Sequence, residues 1–117
     1  MIENIEETEL MDMSLDDLFS AIKAWGKEHG VTDPAMQYAK INEEVGELAH
    51  ELTRGRCSAY SVPSREAVDA IGDILVTVII FANIVGIDPH GALTMAYSVI
   101  KDRKGHSENG VFIKEAE

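Results

Sequence analysis

Two groups of carboxylates are the first chemistry this sequence offers. Glu43, Glu44, Glu47 and Glu51 follow one another closely, and on a helix turning about 100° per residue the last three share a sector of about 60°. Glu66, Asp69 and Asp73 fall in a second sector, again about 60° wide. Like charges one helical turn apart repel, so a solvated acidic face is the plain reading of the first group. The second group changes the balance, because Val76 and Ile80 continue its face and its acids therefore point to where a helical interior begins. An unpaired carboxylate there is costly, and with 10 bases against 21 acids the chain cannot pair them all. Either their pKa values rise or a cation neutralises them. Two such groups on adjacent antiparallel helices would form an oxygen-rich site, suited to Mg²⁺ or Mn²⁺ rather than zinc. His29, His50, His90 and His106 share no ligand spacing, and no Gly-rich phosphate loop, Ser nucleophile motif or Cys–His pair is present.

The elements that must position these acids read as helices. Ser14, with Asp16 and Asp17 behind it, has the form of an N-cap, and Leu15, Leu18, Phe19, Ile22 and Trp25 recur at helical spacing up to Gly30. Asp33-Pro34 is a cap followed by a proline suited to the first helical turn. It starts a second helix, expected from Pro34 to Arg54, with Ile41, Val45, Leu48 and Leu52 along its apolar face. After a polar loop over 55–63, a third helix is expected from Ser64 to near Gly86, apolar nearly all round beyond Ala70 and so packed on several sides. Asp88-Pro89 repeats the cap signal for a fourth helix, which carries Leu93, Tyr97 and Ile100 to the basic end Lys101-Asp102-Arg103-Lys104 and stops at Gly105. Residues 1–12 read as a frayed lead-in and 106–117 as a tail, whose Gly110-Val111-Phe112-Ile113 could pair as a strand in an oligomer. The expectation is one all-α domain over 1–117, a four-helix bundle.

The composition bounds the partners. A net charge of −11 repels nucleic acid. A small anion remains a fitting ligand where the acids carry divalent cations that it shares. Cys57 is the only cysteine, which accords with a reducing compartment. The glutamate-rich start has no basic segment of a secretory signal. The apolar run from Ile74 to Val85 is shorter than the roughly 20 residues of a membrane span. The expected setting is cytoplasmic, with no membrane contact, and a domain this small gains by burying more surface between copies.

Lys40-Ile41-Asn42-Glu43-Glu44-Val45-Gly46-Glu47-Leu48, followed by Asp69-Ala70-Ile71-Gly72-Asp73-Ile74-Leu75, resembles the MazG-like family of all-α nucleoside triphosphate pyrophosphohydrolases. Its signature is EExxE on one helix and ExxD on the next. The end of the chain, with Lys101-Asp102-Arg103-Lys104-Gly105 and Asn109 to Lys114, also resembles short single-domain members, so the likeness runs from about Leu18 to Lys114. It implies hydrolysis of an NTP or dNTP to the monophosphate and pyrophosphate with Mg²⁺ or Mn²⁺, in a homodimer or homotetramer with active sites near subunit interfaces.

Residue by residue, the resemblance makes Glu44, Glu47 and Asp73 metal ligands, and Glu43 a ligand or the group that helps activate water. Where the family usually has Glu, three residues before Asp73, this chain has Ala70. The role passes to Asp69, the nearest acid, while Glu66 forms a literal ExxD with Asp69 that would leave Asp73 idle. Lys101, Arg103 and Lys104 could reach phosphate oxygens or simply be cations at a helix end. Trp25 could contact the base or belong to the core, and Lys40 could contact phosphate or pair with Glu44 one turn on. The rival class is a non-catalytic helical module that binds nucleotide or a partner through its acidic faces, having lost turnover with the missing glutamate. A structural helical dimer with hydrogen-bonded inward acids is a further rival.

Overall fold

The computed structural model describes residues 7–116. In chain order the elements are α1 (Glu7–Met11), α2 (Leu15–Glu28), α3 (Pro34–Thr53), α4 (Arg65–Ile84), α5 (Pro89–Ile100), β1 (Gly105–Glu108) and β2 (Val111–Lys114). The fold is all-α with one small hairpin. The four helices expected from the sequence are α2 to α5. A short extra helix, α1, stands within the stretch read as a lead-in, whose first six residues lie outside the described ones.

The capping signals act as their chemistry requires. The side chains of Ser14, Asp33, Ser64 and Asp88 each accept from backbone N–H groups in the first turn of the helix that follows. Pro34 and Pro89 occupy the first turn, where the absent N–H costs nothing.

Two side-chain ties fix how α3 and α4 lie against each other. Gln37 Nε2 donates to the Thr77 carbonyl at 3.2 Å, and Ser64 Oγ donates to Glu51 Oε1 at 2.8 Å. The helices run antiparallel, so Glu44, midway between Gln37 and Glu51, stands level with Ala70. Helix α2 packs against α4, with buried Gly26 near Ile80, and α5 touches α2 and α4. The core is thin, made of Ala67, Ala70, Ile79, Ile80 and Ala82 together with buried Gln37, Glu44, Glu51 and Thr77.

Three expectations need correction. The most buried line of α3 is the polar one of Gln37, Glu44 and Glu51, seven residues apart, while of the apolar stripe Ile41 and Leu48 are half-buried and Val45 and Leu52 stay exposed. Small alanines at positions 67 and 70 of α4 let the helices come close and leave room for those longer polar side chains. On α4, Glu66, Asp69 and Asp73 are exposed rather than inward. That helix is not covered all round, and one strip of it, with Val68, Ile71, Leu75 and Val78, stays open. By length and composition alone α4 could cross a membrane; here it is the central helix against which α2, α3 and α5 pack.

The chain's end also differs. Helix α5 stops at Ile100, and Gly105 begins a strand instead of ending the helix. The apolar stretch from Val111 pairs within its own chain, antiparallel to Gly105–Glu108. Asn109 and Gly110 make the turn with φ of 50° and 79°, the positive values a two-residue type I′ hairpin demands.

The surface is large for the mass. The structure exposes 9359 Å², where a folded monomer of 12.8 kDa shows about 6,300 Å². Its radius of gyration is 17.0 Å, against about 13 Å for a compact chain of this length.

Candidate functional site

The site grows from the α3–α4 seam. Glu43, Glu44 and Glu47 place one carboxylate oxygen each within 4.8 Å of the others. Glu44 is the buried member at 6% exposure, and Glu43 and Glu47 are exposed. Lys40, one turn earlier, donates to Glu43 Oε1 at 3.3 Å and lies 3.5 Å from Glu44 Oε1. Its pKa is raised, first by the Glu43 hydrogen bond and charge, then by Glu44. The second oxygen of Glu44, Oε2, is buried with no hydrogen-bond donor.

A buried carboxylate oxygen without a partner is expensive. Two things relieve it, a shared proton or a cation. Glu47 shows the first tendency: its pKa is pushed above the usual carboxylate value, foremost by hydrogen bonding with Glu44, then by the charge of Glu44, by desolvation, and by the charges of Glu43 and Asp73. The donor set, all hard oxygens, suits a divalent cation such as Mg²⁺ or Mn²⁺. The residues present therefore fit a metal.

A cavity of about 610 Å³ opens beside this cluster, within the range of small-molecule sites. Lys40, Glu44 and Asp73 line its polar end, and Trp25, Met36, Val76 and Ile80 its apolar part, with Gln37 and Thr77 between. The Trp25 ring stacks on His29, with centroids 4.2 Å apart and planes at 22°. His29 Nδ1 donates to the Trp25 carbonyl at 2.8 Å, which holds the pair together. Glu43, Glu47, His50, Glu51 and Glu66 line a second opening on the other flank of the seam.

The structure thus brings together Trp25, Lys40, Glu43, Glu44, Glu47 and Asp73. Asp69 is exposed and lines neither opening. Lys101, Arg103 and Lys104 lie where α5 meets the hairpin, and Arg103 and Lys104 line a separate cleft with Lys114. Sequence reading missed Gln37. Its signal was present in the seven-residue spacing to Glu44 and Glu51, which marks one face of α3 as the seam with α4.

No family model and no curated protein matches the chain. A solved structure, the cyanophage S-2L MazG-like pyrophosphohydrolase bound to dGDP and three catalytic Mn²⁺ ions per active site, is similar with a TM-score of 0.63 and 21% identity, covering 92% of this chain and 98% of that one. The chain therefore has the MazG-like fold, as its paired acidic motifs imply.

Proposed function

We propose that this protein is a nucleoside triphosphate pyrophosphohydrolase dependent on Mg²⁺ or Mn²⁺, converting an NTP or dNTP to the monophosphate and pyrophosphate. One observation carries the reading: Glu44 Oε2 is buried and has no hydrogen-bond donor at the edge of a nucleotide-sized cavity. Support comes from the MazG-like fold and from the Mn²⁺ ions and dGDP named for the structural neighbour.

Glu44, Glu47 and Asp73 would hold the metal, with Glu43 beside them and Asp69 as an outer acid. Bound there, the ions neutralise charge on the phosphate oxygens and lower the pKa of a water. The chain's own groups do the rest. Lys40 draws the carboxylates of Glu43 and Glu44 into place and offers a cation at the phosphate end of the cavity. Glu43, the exposed acid within reach of Glu44 and Glu47, accepts a proton from the attacking water. Trp25 and the apolar wall keep water from the base. Lys101, Arg103 and Lys104 serve phosphate binding only if another copy carries them to the site.

That copy is part of the proposal. A domain this small gains by burying more surface between copies, and its central helix leaves an apolar strip open. The open row of Val68, Ile71, Leu75 and Val78 on α4 is where a second chain packs to form a homodimer, or a tetramer of paired dimers. Leu75→Glu should convert the assembly to monomers in light scattering, and a wild-type monomer would refute it.

Ala70 favours the rival, a nucleotide-binding module without turnover, because it removes an oxygen level with Glu44. Single-turnover chromatography separates the two. Monophosphate with pyrophosphate is expected; diphosphate with orthophosphate, or no product with Mn²⁺ and any of the eight common nucleotides, overturns the enzyme reading.

A further inference from the structure

Among the polar side chains that line the cavity beside Glu44, Gln37 is a buried one that the metal and phosphate chemistry leaves unused. Gln37 is 92% buried, being 8% exposed, and lines the cavity between its charged and apolar ends. Burying an amide requires partners for both ends. The nitrogen end is settled: Nε2 donates to the Thr77 carbonyl, a group that can only accept. This contact removes the usual ambiguity between amide oxygen and nitrogen. Thr77 is itself pinned, its hydroxyl donating to the Asp73 and Ile74 carbonyls at 2.8 and 2.9 Å. Gln37 is therefore tethered to α4 through its amide nitrogen. Its Oε1 receives no donor from the described residues, and it is not sealed away as Glu44 Oε2 is.

We propose that Gln37 is the residue that selects the nucleobase, its Oε1 accepting a hydrogen bond from an N–H on the inward edge of the base. This rests on the nucleotide reading above and deepens it. The placement fits the parts of a nucleotide. Phosphates go to Lys40 and to the metal that Glu44 and Asp73 would hold, the base lies along Trp25, Met36 and Val76, and Gln37 sits on α3 one turn before Lys40. A tethered acceptor discriminates well, because a base that offers no N–H leaves Oε1 desolvated and unpaired, which costs more than the bond itself is worth.

The test measures binding, not turnover. Calorimetry with Mg²⁺ gives the affinity of the four nucleoside 5′-monophosphates and of analogues lacking the inward N–H: purine for adenine and guanine, 2-pyrimidinone for cytosine and uracil. Emission from Trp25, the single tryptophan, reports that the base enters this cavity. For the best-bound base, wild type should bind the analogue at least about tenfold more weakly, and Gln37→Leu should shrink that ratio to under about threefold. A purely structural Gln37 would weaken base and analogue alike and leave the ratio unchanged. An unchanged ratio, equal binding of base and analogue by wild type, or no binding of any monophosphate overturns the proposal. The wild-type comparison stands even if the variant folds poorly. Product analysis fails or succeeds separately, so loss of one reading does not disguise loss of the other.

Discussion

Glu44 and Glu51 lie on the same face of α3, two turns apart, at 6% and 5% exposure. Both face α4, yet their surroundings differ. Glu51 accepts from Ser64 Oγ at 2.8 Å and has Arg56 at 3.7 Å, so each of its oxygens has a partner. Ser64 in turn caps α4 by accepting from the Ala67 N–H. Glu51 thus joins the end of one helix to the start of the next. Glu44 has Lys40 on one oxygen and nothing on the other. The same residue type at the same depth is structural where the fold completes its bonds, and is available for chemistry where it does not.

The largest expected effect breaks this pair apart. Glu44→Gln should lower kcat for pyrophosphate release by at least about 100-fold, beyond what disturbing an outer partner of a metal site costs. Replacing a buried carboxylate whose second oxygen lacks a donor should leave the metal-free fold intact or firmer. Glu51→Gln should do the reverse, destabilising by about 1–3 kcal/mol as the Ser64 and Arg56 contacts weaken while kcat stays within a few fold. Chemical denaturation beside the kinetics reads both, and the same ranking for both variants would erase the distinction.

Next comes the contribution of α4. Asp73 lines the Glu44 cavity and Asp69 does not, so Asp73→Asn should cost about tenfold or more in kcat and Asp69→Asn clearly less. An equal loss would mean that Asp69 holds metal in the role the sequence pattern gives it, in place of a glutamate at Ala70.

The helices were legible because their signals are local. Ser14, Asp33, Ser64 and Asp88 cap where the cap chemistry places them, and α3 and α4 end within two residues of the expected bounds. Orientation was not legible. The apolar stripe of Val45 and Leu52 suggested an inward face, but hydrophobicity says only that a face becomes buried, not whether this chain or another covers it. The Gln37–Glu44–Glu51 seam is polar although it is buried, which reverses the usual pattern. The hairpin had a signal in Asn109-Gly110, the strongest short-range turn cue, outweighed in reading by the basic helix end before it. In the site, Glu44 and Asp73 follow from the paired motifs. The unpartnered oxygen and the tether on Gln37 depend on contacts between helices that no spacing along one helix contains.

A smaller effect sharpens the comparison through pH. The Glu47 pKa is raised above its ordinary 4.5, so without metal the folded state holds this proton more tightly than the unfolded state. Stability from it is full below 4.5 and lost as pH rises through the raised value. Glu47→Gln should therefore melt higher than wild type in EDTA at neutral pH, by a margin that shrinks as pH falls through the raised value. Mn²⁺ affinity should fall over the same window as proton and metal compete. A margin constant with pH would separate Glu47 from Glu44.

The most direct test of the account is the melting temperature of wild type, Glu51→Gln and Glu44→Gln, each with EDTA and with saturating Mn²⁺. A ligand that binds only the folded state stabilises by about 2.7 kcal/mol at a hundred times its Kd. Wild type and Glu51→Gln should each rise by several degrees with Mn²⁺, and Glu44→Gln should not respond. If wild type is unmoved by Mn²⁺, or if Glu44→Gln rises as far as wild type, the unpartnered oxygen of Glu44 is not a metal ligand and the proposed chemistry fails with it.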